Sequence, residues 1–245
     1  MRKMLVLGAT SAIAHATLKH FAADGAELYL VGRDADKLRI IQDDLLVRGA
    51  QRAEIQALDL TDRAAHPALI AAAKEWLGGL DAVLMAHGTL PDQEKIQHSV
   101  EDTLRELDVN FLSAVSLLTL IAEEFEAQRR GSITVISSVA GDRGRMSNYV
   151  YGTAMGAKSL FLGGLRARLA KSDVHVLTVK PGFVDTPMTA HLKKNPLYAS
   201  PETVGETIYK ATKAGKDEIY VPFFWRYIML IIRSMPERIF KRLSL

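Results

Sequence analysis

The chain has 245 residues, 48% of them hydrophobic, with no cysteine and a formal net charge of +3. That length supports one sizeable core; the lack of cysteine excludes disulfides and zinc-type Cys/His spacing, and the small charge argues against a nucleic-acid partner. The opening run Met1-Arg2-Lys3-Met4-Leu5-Val6-Leu7 enters a turn at Gly8 and is too short for an export signal, so a cytoplasmic protein with no metal site is expected.

Along the chain, short apolar runs alternate with longer segments of helical period. Strands are predicted at 3–7, 27–31, 54–58, 81–86, 132–137, 175–179 and 218–221, each rich in Val, Ile or Leu as strands buried on both faces are. The pattern is that of repeated βαβ units. It predicts an α/β fold: a single doubly wound Rossmann domain over residues 1–245, with a seven-stranded, mostly parallel sheet and helices on both faces. Asp34 is placed to cap a helix carrying Leu38, Ile41, Leu45 and Leu46 on one face before Gly49. Ser99 and Asp102 form a capping-box pattern that opens a long helix running to about Arg129. Another helix follows Tyr151 and ends near Ala170.

The first strand passes into the first helix through Gly8-Ala9-Thr10-Ser11-Ala12-Ile13-Ala14, where backbone N–H groups and a helix N-terminus meet a pyrophosphate in such sheets. Gly8, Thr10, Ser11, Ala12 and Ile13 are the candidates. Only Gly8 remains of a three-glycine pattern, with alanines at 12 and 14, so an ordinary strand-to-helix turn stays open as an alternative. After the second strand, Gly32 leaves room and Arg33 offers a guanidinium fork to a 2′-phosphate, which favours NADP(H) over NAD(H). Asp59-Leu60 is placed at the adenine edge, though Asp59 also suits a helix cap before Thr61.

Ser138 ends the fifth strand and Tyr151 follows thirteen residues later. With the Gly8–Ala14 turn, Asp59-Leu60-Thr61, Asn110 within Asp108-Val109-Asn110-Phe111, Ile136-Ser137-Ser138, Tyr151-Gly152 and Lys180-Pro181-Gly182-Phe183-Val184-Asp185-Thr186, the chain resembles the short-chain dehydrogenase/reductase family over essentially its full length. The resemblance implies Tyr151 as the acid that protonates a carbonyl oxygen and Ser138 as a hydrogen-bond donor to that oxygen. It also implies Asn110 as support for a proton-relay water. Ala86, Gly88, Tyr151, Pro181, Gly182 and Thr186 would frame the nicotinamide side of NADP(H).

One position departs sharply from the family pattern Tyr-x-x-x-Lys: the chain reads Tyr151-Gly152-Thr153-Ala154-Met155. The family lysine lowers the tyrosine pKa and holds the nicotinamide ribose, and methionine does neither. Lys158 lies about 10.5 Å along the helix from Tyr151 and is expected to be an ordinary surface residue. A ketone reductase or reversible alcohol dehydrogenase impaired by Met155 and a non-catalytic NADP(H)-binding pseudo-enzyme are both open readings. Met85-Ala86-His87-Gly88 stands where the family has Asn-Asn-Ala-Gly, and His87 is expected to pack at a strand end.

Residues 186–201 suggest a partly helical substrate lid, and residues 141–148 an opposite wall in which Asp142, Arg143 and Arg145 face polar or anionic groups. The amphipathic segment 223–245 mixes apolar residues at helical spacing with Arg226, Arg233, Arg238, Lys241 and Arg242. It suits peripheral contact with the cytoplasmic face of a membrane, or packing on the core or a partner subunit of a homo-dimer or homo-tetramer. This tail resembles that of bacterial reductases of the decaprenylphosphoryl keto-pentose 2-reductase type, which implies a small-molecule or lipid-linked carbonyl substrate.

Overall fold

The computed structural model describes residues 2–243, so residues 1, 244 and 245 of the expected domain and tail lie outside the described residues. The chain runs through β1 (Lys3–Leu7), α1 (Ala12–Ala23), β2 (Glu27–Gly32), α2 (Ala35–Val47), β3 (Arg52–Ala57), α3 (His66–Leu77) and β4 (Ala82–Met85). It continues through α4 (Gln93–Ile96), α5 (Val100–Leu107), α6 (Ser113–Gln128), β5 (Gly131–Ile136), α7 (Tyr149–Leu169), β6 (Val174–Pro181), α8 (Pro201–Lys213), β7 (Glu218–Val221), α9 (Trp225–Ser234) and α10 (Glu237–Phe240).

The seven strands form one sheet in the order β3-β2-β1-β4-β5-β6-β7, and every pairing is parallel. Alternation within β1 shows why helices cover both faces. Met4 and Val6 join the core under α1 and α2, while Leu5 and Leu7 join the core under α3, α6 and α7. The strand order reverses between β1 and β4, and the crevice outside their carboxyl ends is where such sheets bind ligands.

Local chemistry sets most boundaries. Ser11 caps α1 by accepting from Ala14 N–H, Asp34 caps α2 through Lys37 N–H, and Ser200 caps α8 ahead of Pro201. β1 and β7 fall where the sequence predicts them, whereas β3 starts two residues earlier, because pairing along β2 begins at Glu27 opposite Arg52. The helix expected from Ser99 to Arg129 is not continuous: α5 and α6 are joined by a π-helical turn at Asp108–Leu112. Ser99 accepts from Asp102 N–H, which is half of the expected capping box. α7 begins two residues before Tyr151, placing that side chain in the first turn.

Candidate active site

Gly8 opens the nucleotide turn at φ +85°, and a Cβ there would lie 2.4 Å from the backbone nitrogen of His87, so neither the conformation nor the space admits another residue. The Gly8 and Ala9 N–H groups both donate to the Val31 carbonyl at 2.9 Å, tying the turn to β2. The N–H groups of Thr10, Ala12 and Ile13 have no hydrogen-bond partner among the described residues. They sit at the positive end of α1, a preformed anion site.

Beside this turn Arg33 is exposed. Asp59 accepts from the Thr61 N–H at 3.0 Å and the Thr61 hydroxyl at 2.9 Å. Those bonds, with the nearby Arg33 guanidinium, hold its carboxyl below the usual range. Asp59 is thus a local cap lying beside the guanidinium. Leu60 is 6% exposed, with its side chain in the core and its carbonyl 3.1 Å from His66 Nε2.

A cavity of about 940 Å³ opens next to the turn, between the carboxyl ends of β4, β5 and β6, the start of α7, the 186–197 segment and α9. It brings together Ser11, Ile13, Ala86, Gly88, Asn110, Ser138, Tyr151, Pro181, Gly182 and Thr186. Gly8, Thr10, Ala12, Arg33, Asp59 and Leu60 lie outside its lining, on the nucleotide side. The expected residues therefore divide between one cavity and the turn that adjoins it.

Within the cavity Ser138 Oγ accepts from Ala140 N–H at 3.1 Å, which fixes the hydroxyl oxygen and leaves its proton available. Burial raises the Tyr151 phenol, and the adjacent Ser138 hydroxyl works in the opposite direction. Ser137 holds the two elements together, its hydroxyl lying 3.0 Å from the Met155 carbonyl and 2.8 Å from Ser159 Oγ. Asn110, fully buried on the π-helical turn, accepts from Thr89 N–H at 3.0 Å and donates to Thr89 Oγ1 and Glu106 Oε2 at 3.2 and 3.0 Å. Its amide protons are both used, one on Thr89 in the loop after β4 and one on Glu106 of α5.

His87 packs at the strand end, as expected, but as more than filler. Ser113 donates to the Val109 carbonyl at 2.8 Å, so it accepts from His87 Nε2–H at 2.9 Å. That assignment leaves Nδ1 as a buried acceptor with no partner. Burial, with the nearby Lys158 charge, lowers the imidazole to about 3, so it is neutral. A second unpartnered group is the buried Trp225 Nε1–H, which sequence reasoning missed. The indole lies over Gly182, where a Cβ would come within 1.9 Å of Nε1. These unsatisfied polar atoms in the cavity wall fit a polar ligand such as a nicotinamide nucleotide.

Three expectations are corrected. Lys158 is no surface residue: it is 1% exposed and lines the cavity. The signal was present, because Met155, Lys158, Leu162, Leu165 and Leu169 form a single three-four-spaced buried stripe on α7. Asp142 and Arg143 do not face the cavity as free polar groups. Asp142 accepts from Tyr220 OH at 2.7 Å and pairs with Lys180 Nζ at 2.9 Å, while Arg143 donates to the carbonyls of Ile232 and Met235 at the end of α9 and to Glu237. Arg145 alone of the three lines the cavity.

The lid is mostly irregular. Thr186 caps a short 3₁₀ turn, Pro187–Thr189, through Thr189 Oγ1. Phe183 stacks on Tyr198 and meets Trp225 edge-on, so α9 supports the lid from behind. α9 buries Trp225 and Met229 on this chain's own core and exposes Tyr227, Leu230 and Ile231 on the other side. Among the described residues no helix is long and apolar enough to cross a membrane.

A family model for the short chain dehydrogenases matches residues 2–197. A Mycobacterium tuberculosis protein named as an uncharacterized oxidoreductase is 32% identical over 240 residues, covering 98% of this chain and 96% of its own length. A Streptomyces coelicolor protein, also named as an uncharacterized oxidoreductase, is 31% identical over 243 residues, covering 99% and 96%. A Staphylococcus haemolyticus oxidoreductase is 28% identical over 188 residues, covering 77% of this chain and 80% of its own length. With this sheet order and the Ser138–Tyr151 pair at the crevice, the chain belongs to the short-chain dehydrogenase family and is an oxidoreductase of that family.

Proposed function

We propose that the protein is an NADPH-dependent reductase of ketones, running in reverse as an alcohol dehydrogenase. The observation that carries this reading is that the Ser138 and Tyr151 hydroxyls face the same cavity that abuts the unpaired amides of the Gly8–Ile13 turn. Pro181, Gly182 and Gly88 would hold a reduced nicotinamide, whose chemistry would be hydride donation to the carbonyl carbon. Tyr151 gives its proton to the carbonyl oxygen, and Ser138 donates a hydrogen bond to that oxygen as negative charge develops on it. The phenolate that remains regains its proton from solvent.

Arg33 supports the choice of NADP(H): it is exposed at the end of β2 and makes no ion pair among the described residues, a guanidinium suited to a 2′-phosphate. The apolar parts of the cavity wall, including Met188, Leu192, Leu197 and Ile228, suit a bulky apolar or lipid-linked ketone. The outward face of α9, with arginines among its apolar residues, supports peripheral contact with an anionic membrane. Exposed Leu104, Leu112 and Leu160 support association with a second copy of the chain. The non-catalytic alternative is favoured by one feature, the buried Met155 in the cavity wall.

Fluorescence titration with NADPH and NADH, followed by NADPH oxidation with a panel of ketones, tests the reading. NADPH is expected to bind at least about tenfold more tightly than NADH. Tyr151→Phe is expected to lose roughly 10²- to 10⁴-fold in turnover with NADPH affinity retained. Tight NADPH binding with no ketone reduced would establish the non-catalytic alternative instead.

A further inference from the structure

Lys158 is a fully buried cation for which the described residues supply no carboxylate and no hydrogen-bond acceptor. Its tip is not sealed off: it opens into the cavity, whose wall Lys158 shares with Tyr151, Met155 and His87. Holding an ammonium in such a place opposes folding, and a chain retains that cost where the charge is used. The family position for a cation, one turn after Tyr151, is filled by Met155, itself 2% exposed and uncharged.

Tyr151, Met155 and Lys158 share one face of α7 at i, i+4 and i+7. Side chains on a helix lean toward its N-terminus, a direction that on this face runs from Lys158 toward Tyr151 across an axial separation of about 10.5 Å, and both side chains line the same cavity. The other titratable groups facing the cavity are Tyr151, His87, Asp92, Glu94, Arg145 and His191. His87 is neutral, and Arg145, on the opposite loop, cannot exchange a proton.

We infer that Lys158 has taken over the role of the missing lysine, entering the site from one turn further along α7 to stabilise the Tyr151 phenolate and the ribose side of a bound nicotinamide nucleotide. This rests on the reductase reading for the first role, while the second requires only nucleotide binding. Burial brings Lys158 down to about 8, so it remains charged at neutral pH, and its proton becomes mobile in the mildly alkaline range. Met155 and Lys158 are then a relocation of one charge within one stripe.

The test uses the full chain, Lys158→Met and the double variant Lys158→Met/Met155→Lys, measured for NADPH affinity by fluorescence and for the pH profile of kcat with a simple diketone. Lys158→Met is expected to weaken NADPH about tenfold or more and to lower kcat by about 10²-fold, removing the limb of the profile near pH 8. Returning the charge at 155 should recover at least tenfold in both quantities, which a merely structural role at 158 would not allow. If Lys158→Met misfolds by circular dichroism, Lys158→Gln replaces it with the same expectation. Wild-type affinity and turnover in Lys158→Met, or no recovery in the double variant, overturns the inference. A full chain that reduces no diketone, yet loses NADPH affinity in Lys158→Met and regains it in the double variant, removes the reductase reading and keeps the nucleotide role of Lys158.

Discussion

Two lysines are buried in this chain in opposite ways. Lys180, on β6, lies between Asp142 Oδ1 and Glu218 Oε2, each at 2.9 Å, with Tyr220 joined to the same Asp142. Burial pulls its pKa down, but the bonds to Glu218 and Asp142 outweigh that and leave it raised. Lys158, on α7, has burial alone and falls to about 8. The difference separates a structural tie, where every charge is answered within the fold, from a charge held open for something the chain does not contain. Lys180 fastens β6 and β7 to the 3₁₀ turn after β5, whereas Lys158 weakens the fold in exchange for a cation in the cavity.

The strongest way to break this contrast is Lys180→Met, which leaves Asp142 buried without its cation. A loss of about 3–5 kcal/mol is expected in urea unfolding. Lys158→Met should act with the opposite sign, raising stability by about 3 kcal/mol at pH 7. The sign follows from a folded pKa of about 8 against an ordinary 10.5: below pH 8 the folded state bears the full cost of the charge, and above 10.5 neither state is charged. The advantage of the variant should therefore fade as pH rises from 8 to 10.5. A loss of stability at pH 7 would mean that Lys158 has a partner after all.

Arg33 sharpens the contrast, since it is a cation at the site that stands in water beside Asp59. Arg33→Ala is expected to leave unfolding unchanged and to cost NADPH affinity about tenfold, roughly 1.4 kcal/mol, without weakening NADH. The smallest effect is expected from Ser11→Ala, at about 1 kcal/mol of stability through the lost cap of α1.

Much of the site is legible in the sequence because its signals are local. Gly8 marks a turn, Arg33 follows a strand, and the interval from Ser138 to Tyr151 holds the loop and the first turn of α7. The π-helical turn around Asn110 is not legible, and its tie to Thr89 in the loop after β4 is a contact that periodicity does not carry. The freedom expected of Asp142 and Arg143 fails for a related reason: their partners, Lys180, Tyr220, the end of α9 and Glu237, lie 38 or more residues away in sequence.

By itself the sequence determined the α/β order, the seven strands, the glycine turn after β1 and the Ser138–Tyr151 interval, because periodicity and turn chemistry act over a few residues. Only the tertiary structure decided which long polar side chains are buried and what answers them. A stripe of three-four spacing shows that one face of α7 is covered. Whether the lysine within it meets water, a carboxylate or an open cavity depends on which strands and loops close over that face, and those arrive from both ends of the chain.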